Sequence, residues 1–454
     1  MTDDGLRWVR VVETLDAVDP WSLLSPLQDD GARLMAWASP QQDISFVAIG
    51  ALLEHRPVGP NRFAESTEWW GPIARAMRSQ NLAGDAVANS TPACLAGFAF
   101  QADTDRSDDW EPWGDAALCV PEVLVWTESG TTQAVYTIDT ALAPLAPQLR
   151  TLQAQLRGWL TRAAPLDLTP NTPRPIAQPD SDSEWQQWRD RVESAQRQMA
   201  DGRLQKVVLA RAQSFAPAEA HTFDPLATAI ALRDRQTNST TFLIRRRDGR
   251  AFLGSSPEVL VRLHDKHIET VALAGTRRRG SGPNDHELGA SLLDSNKDRL
   301  EQNLVATAIT DALRPITDEL KVSPSPEVVR HPDVQHLRTA IQGRLTQHAT
   351  IFDLVQQLHP TPAVGGLPRE SALEWLGDNE HLDRGWYAGP VGWLTERGDG
   401  EFVVAIRSVL MQPESASAFA GCGLVSTSDP ADEWEESRVK LQTVRRGLAT
   451  GLNR

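Results

Sequence analysis

The sequence predicts an α+β fold, a layered α/β sandwich in which antiparallel sheets are covered by outer helices around one large core. Three observations predict it. Short β runs cluster between residues 205 and 274 with tight turns between them, and the stretches of helical period lie outside that cluster instead of alternating with its strands. At 454 residues, with 41% hydrophobic and 23% charged side chains, the chain can also bury a core of that size.

Taken in order, residues 1–180 read as alternating strands and helices, with 95–100 and 123–127 the clearest strands. They end in a proline-rich linker at 165–179, where Pro165, Pro170, Pro173, Pro175 and Pro179 favour an extended path. Residues 181–454 form the second region. There Ser183 opens a capping box, Trp185, Trp188, Val192, Ala195 and Met199 follow at helical spacing, and Asp201-Gly202 stops the helix. Strands follow at 205–211, 240–246, 250–255, 259–264 and 267–274, with Asp248-Gly249 and Asp265-Lys266 as turns, and read as one antiparallel meander. Helices are expected at about 285–313, at 335–345 and at 351–358, then strands at 400–411 and 418–425 and a last helix at 433–448. Fifteen tryptophans scatter without a period, which assigns them to packing.

A net charge of −15 argues against nucleic acid or an anionic membrane as partner, since both are bound through clustered Lys and Arg. Cys94, Cys119 and Cys422 lack ligand or framework spacing and read as buried thiols. Neither a leader-like N-terminus nor a spanning apolar stretch is evident, so a cytoplasmic location is expected.

The chemistry gathers in two carboxylate pairs at i, i+3 spacing, Asp298/Glu301 and Glu433/Glu436. Residues three apart share a helix face, so each pair aims its oxygens at one point, and like charges stacked this way want a cation. Taken alone, either pair also reads as a solvated face. The second is preceded by a glycine-bearing apolar strand, Phe419 to Val425, and followed by Lys440 one turn beyond Glu436, which together describe an anion and metal site at a helix N-terminus. Lys206, alternating with Val208 and Ala210 on one strand face, is either a rim residue or a buried amine. Glu258, between Gly254-Ser255-Ser256-Pro257 and Val259, is either an ordinary strand-end carboxylate or an acid at the mouth of a site.

Ten ordered segments across residues 184–448 resemble the chorismate-utilising enzymes, the family of anthranilate synthase component I. They are Lys-Val-Val-Leu-Ala-Arg (206–211), Gly-Ser-Ser-Pro-Glu (254–258), Leu-Ala-Gly-Thr-Arg (273–277), Lys-Asp-Arg-Leu-Glu (297–301), Val-Gln-His-Leu (334–337), His-Pro-Thr-Pro-Ala-Val-Gly-Gly (359–366), Trp-Tyr-Ala-Gly-Pro-Val-Gly-Trp (386–393), Ala-Ile-Arg (405–407), Gly-Cys-Gly-Leu-Val (421–425) and Glu-Trp-Glu-Glu (433–436). The resemblance implies the fold of that family and chorismate as small-molecule substrate. Lys206 stands where ammonia-using members carry Gln, and the 359–366 and 384–393 runs look like those of isochorismate synthases. The implied activity is therefore the isomerisation of chorismate to isochorismate, an isomerase reaction that adds water at ring carbon 2 and expels the hydroxyl of ring carbon 4. The alternatives are a salicylate synthase and a catalytically silent chorismate-binding subunit.

Carried onto these positions, the resemblance makes Lys206 the base for water and Glu258 the acid for the leaving hydroxyl. It assigns Mg²⁺ to Glu301 and Glu436, with Asp298 and Glu433 as direct or water-mediated partners. Arg407, Tyr387, Gly421 and Gly423 would hold the enolpyruvyl carboxylate, Gly275 and Thr276 would approach the ring carboxylate, and Lys440 would add positive charge. His336, Ala363 and Val364 would line the ring pocket, although His336 reads equally as core. A monomer is implied, while menaquinone, siderophore and salicylate biosynthesis stay open as destinations. The chain departs from the family at Gln302, where a His is usual, and at Cys422, where Gly-Ala-Gly is frequent and which raises the chance that thiol reagents inhibit.

Overall fold

The computed structural model describes residues 7–28, 30–82, 91–102, 106–164, 168–170, 174–175, 181–217, 222–280 and 282–452. Of the linker expected at 165–179, only Leu168–Pro170 and Arg174–Pro175 are among them, each as a short edge strand. No helix among the described residues is long and apolar enough to cross a membrane.

Two large sheets form the middle of the molecule. In the first, Lys206–Ala216 lies beside Ser415–Leu424, followed by Ser408–Gln412, Ala251–Ser256, Thr240–Arg245, Leu34–Ser39 and Ile44–Ile49. In the second, Val334–Leu345 lies beside His267–Arg278, followed by Val259–His264, Gly400–Val404, Pro390–Leu394 and Cys94–Phe98. The pairings among these strands are antiparallel, as the short turns require. Strands from both sequence regions enter both sheets: Phe242 pairs with Trp37 in the first, and Trp393 with Leu95 in the second.

The facing sides of the sheets meet in one apolar layer, where Phe46 and Trp126 of the first sheet pack on Trp393 of the second with ring centroids 6.4 and 5.5 Å apart. The outer face of the first sheet is covered by Leu145–Leu160, Pro225–Arg235 and Pro430–Leu448, whose buried residues include Leu156, Leu232 and Val444. Asn296–Leu313 and Ile351–Leu358 pack with the second sheet.

Several expectations are corrected. Residues 335–345 are not a helix but most of the strand Val334–Leu345. The apolar set Leu337, Ile341 and Leu345 is spaced by four, which satisfies a helical stripe, but four is also twice the strand period, and buried Thr339 shows that period two is the one used. The region 285–313 is two helices, Pro283–Asp294 and Asn296–Leu313, because Ser295 is extended and its side chain caps the second by accepting from the Asp298 amide. The cap of Asp182–Ala200 is Ser181, two residues before the serine expected, since Ser181-Asp182-Ser183-Glu184 also has the S-x-x-E spacing. The meander is split. Pro257, with no amide hydrogen for a ladder, ends the run in the first sheet, and Val259 begins a strand of the second. The expected strand 400–411 crosses in the same way, as Gly400–Val404 in the second sheet and Ser408–Gln412 in the first.

Candidate active site

The two crossings run side by side. Val404 donates its amide to Glu258 O at 3.1 Å, and Ser255 donates to Arg407 O at 3.2 Å. They set Glu258 and Arg407 on one cavity of about 660 Å³, including the solvent at its mouth. Val208, Gly421 and Gly423 line it from the first sheet, and Gly275, Thr276 and His336 from the second. Ala363, Val364, Tyr387, Glu301, Glu436 and Lys440 also face it. Thirteen of the sixteen residues singled out in the sequence therefore line one space.

Lys206 is not a rim residue. Its side chain is 1% exposed and its Nζ stands 2.9 Å from Glu301 Oε1, which does line the cavity. That approach depends on glycine at 423, which lies opposite Val208 on the neighbouring strand. A Cβ there would come within 2.3 Å of Glu301 Oε1 and 3.0 Å of the Lys206 Cε. Gly275 has φ +70° at a register shift between Ala274 and Thr276, and its carbonyl accepts from His336 Nδ1 at 3.1 Å. With Nδ1 committed to a carbonyl, the imidazole Nε2 is the acceptor nitrogen; it is buried without a protein partner. Burial, reinforced by Arg407, holds His336 well below its ordinary pKa, so the ring is neutral.

Glu258 is 3% exposed. Burial raises its carboxyl to about 7, against the opposing pull of Lys206, the Thr361 hydroxyl and Lys440. Thr361 Oγ1 donates to Glu258 Oε1 at 3.4 Å, and Ser256 Oγ accepts from the Glu258 amide at 3.1 Å. The result is a fixed carboxyl that is about half protonated near neutrality.

The four paired acids divide into two layers. Glu301 and Glu436 face the cavity; Asp298 and Glu433 stand behind it, Asp298 with Arg277 at 2.8 Å and Glu433 with Lys297 at 2.6 Å and Ser428 Oγ at 2.7 Å. Lys297 thus serves the other helix, not Glu301 of its own. Burial and then repulsion by Glu436 raise Glu433 to about 7. Burial also works against the Glu436 charge, but Lys440, Lys297 and Arg407 outweigh it and hold that carboxylate below its usual range. Glu433, Glu436 and Cys422 offer ligand atoms within 4.8 Å of one another. Cys422 is not a soft donor here: burial pushes its thiol well up, and Sγ donates to Glu433 O at 3.1 Å. The donors left are carboxylate oxygens on two helices, a set that fits a hard divalent cation such as Mg²⁺. Because Cys422 points away from the cavity and is fully buried, the thiol sensitivity expected from it has no accessible target.

At the other end, Arg407 has φ 52° and is 7% exposed, with no ion pair to a carboxylate among the described residues. Tyr387 stacks on Phe419 with centroids 5.1 Å apart, and burial pushes its phenol up to about 12. Lys440 Nζ bridges Glu436 Oε1 at 2.7 Å and Gly421 O at 2.8 Å. A buried guanidinium with no carboxylate ion pair among the described residues, on the same cavity as a phenol hydroxyl, is a receptor for a carboxylate. Sequence reasoning missed Pro257, Leu273, Ile406 and Phe419 as lining, and Arg277, Lys297 and Thr361 as supports. All of them lie within two residues of a singled-out position, which was the available signal.

The family described as chorismate binding enzyme matches residues 2–449. The salicylate biosynthesis isochorismate synthase of Pseudomonas aeruginosa is 37% identical over 96% of this chain and 89% of its own. The isochorismate synthase MenF of Bacillus subtilis is 30% identical over 96% and 92%. The solved structure of MenF, the menaquinone-specific isochorismate synthase from Escherichia coli, superposes with a TM-score of 0.77 at 28% identity, over 97% of this chain and 94% of that one. Anthranilate synthase component I from Streptococcus pneumoniae gives 0.71 at 20% identity, over 90% and 93%, a likeness of fold alone.

Proposed function

The chain belongs to the chorismate-binding enzymes, and from that premise we propose that it is an isochorismate synthase, an isomerase that interconverts chorismate and isochorismate. One observation carries the reading. A lysine and a carboxyl held at about 7 serve the same cavity, so a base for water and an acid for a departing hydroxyl are both at hand.

Chorismate would enter with its enolpyruvyl carboxylate on Arg407 and Tyr387, and with its ring against Ala363, Val364 and His336. Its ring carboxylate would lie toward Gly275, Thr276 and the acids. Glu301 and Glu436 would hold Mg²⁺, with Asp298 and Glu433 one layer back, neutralised by Arg277 and Lys297. When bound, the ion supplies the positive charge that lets a carboxylate sit among carboxylates. Lys206, as the free amine, takes a proton from water as its oxygen bonds to ring carbon 2. Both ring double bonds shift by one position, the bond from ring carbon 4 to its hydroxyl breaks, and Glu258 donates the proton with which that oxygen leaves as water. Run backwards, Glu258 becomes the base and Lys206 the acid.

Turnover in ¹⁸O-labelled water tests this directly. Label is expected at ring carbon 2 of isochorismate after short incubations, with no pyruvate released. Unlabelled isochorismate would refute the roles of the two residues, and pyruvate in step with turnover would move the activity to salicylate formation.

A further inference from the structure

The strand that carries Lys206 is only partly covered on its outer edge. Gly366–Leu367 pairs with Lys206 and Val207, Gly365 O accepts from the Val208 amide at 2.8 Å, and Arg174–Pro175 pairs with Phe215 and Ala216 at the far end, but among the described residues no strand covers this edge at Ala210. Two buried side chains take over. Glu380 Oε2 accepts from the Ala210 amide at 2.7 Å, and Arg384 Nη2 donates to Val208 O at 2.6 Å. The same guanidinium donates through Nη1 to Val364 O at 2.8 Å and grips Glu380 through Nε and Nη2, both at 2.6 Å. Its guanidinium carbon lies 4.2 Å from the centre of the Phe100 ring, and the Arg384 backbone carbonyl accepts from the Tyr387 amide at 2.8 Å.

Glu380 and Arg384 are 3% and 5% exposed and line no part of the cavity in which Lys206 and Glu258 work. A buried ion pair is weak evidence for stability, because desolvation offsets much of its attraction. What distinguishes this one is where its remaining hydrogen bonds go. They end on Val208, two residues from Lys206, on Val364 of the adjoining segment, and beside Tyr387, so three residues that line the cavity share one rigid fork. Building on the isochorismate synthase reading, we propose that Glu380–Arg384 is a positioning pair that takes the edge hydrogen bonds of Val208 and Ala210 in place of a strand and fixes Lys206 at its working height against Val364 and Tyr387.

The fork is what matters, since a lysine carries the charge but cannot span Glu380, Val208 O and Val364 O from one point. Arg384→Lys in the full chain, assayed at a temperature where circular dichroism shows it folded, should lower kcat roughly ten- to a hundredfold while KM for chorismate stays within about threefold. Glu380→Gln keeps an oxygen for the Ala210 amide and should lose less. An unimpaired kcat in folded Arg384→Lys would overturn the positioning role, as would a loss of rate that merely tracks the folded fraction. The wild-type control separates the claims. Isochorismate from wild type beside an unimpaired variant defeats this proposal alone, whereas none from wild type defeats the parent reading and this one with it.

Discussion

Burial raises the Glu258 carboxyl from its ordinary 4.5 to about 7, and the two consequences have opposite signs. For catalysis, the protonated form is the acid, so kcat/KM for chorismate is expected to fall as pH rises through about 7, and Glu258→Gln and Lys206→Gln should each lower the rate at least about a hundredfold. A profile that stays flat from mildly acid to mildly alkaline pH would remove Glu258 from that role. For stability, the folded chain holds this proton more tightly than the unfolded one. The contribution is therefore whole below about pH 4.5 and is lost as pH climbs to about 7, at roughly 1.36 kcal/mol per unit. Glu258→Gln should accordingly be more stable than wild type by about 3 kcal/mol above neutrality and show no such gain in acid. Urea melts of both proteins across that range measure it, and equal stabilities at pH 8 would contradict the burial argument. The four acids were legible in the sequence because they repeat one i, i+3 spacing, and the other candidate residues, Lys440 apart, because they stand in ordered segments that resemble a known family. Arg277, Lys297 and Arg384 were not, because an ordinary charged residue in sequence gives no sign of which distant backbone or carboxylate it meets.

At the scale of elements, the site exists because helices and strands stop at the right residues. Extended Ser295 starts a new helix that points Asp298 and Glu301 at the sheet, and Asp429 caps the helix that carries Glu433 and Glu436. Local signals of this kind were readable, apart from the break itself, whose serine resembles any other in a helical stretch. The strand Val334–Leu345 was misread because its apolar spacing serves both periods, and only pairing with His267–Arg278 decides between them. Glu301→Ala and Glu436→Ala are expected to abolish Mg²⁺-dependent turnover with the fold intact, since both carboxylates face the cavity and neither holds the core together. Calorimetric titration with Mg²⁺ should show the loss, and full turnover by wild type after exhaustive chelation would defeat the metal assignment. Gly423→Ala should behave like the metal-site variants, because its methyl group would occupy the space of the Glu301 carboxylate. Normal Mg²⁺ binding in that variant would show that the strand and helix separate more easily than their packing implies.

At the scale of the whole molecule, the cavity lies on crossings between two sheets, and each sheet is woven from both sequence regions. Composition and period indicated layers and a large core, but not which strands share a sheet, since pairings such as Phe242 with Trp37 span about two hundred residues and leave no local trace. This weaving bears on whether residues 181–454, which carry every candidate site residue, could act alone. Without residues 1–180, Thr240–Arg245 loses its neighbour Leu34–Ser39, and Pro390–Leu394 loses Cys94–Phe98. The inner layer around Trp393 loses Phe46 and Trp126 as well. Two open sheet edges and a bare aromatic face invite association in place of folding. The crossings at Glu258 and Arg407 would then lack the rigid sheets that hold them 3 Å from each other's backbone, as they are through Val404 and Ser255. Residues 181–454 expressed alone should therefore give no cooperative thermal transition, no near-ultraviolet circular dichroism of packed tryptophans and no chorismate turnover. Full-length protein should lose far-ultraviolet signal and tryptophan packing together in one transition. A fragment that melts cooperatively and forms isochorismate would mean that the second region closes its own core, and that the shared sheets are not what holds the site in place.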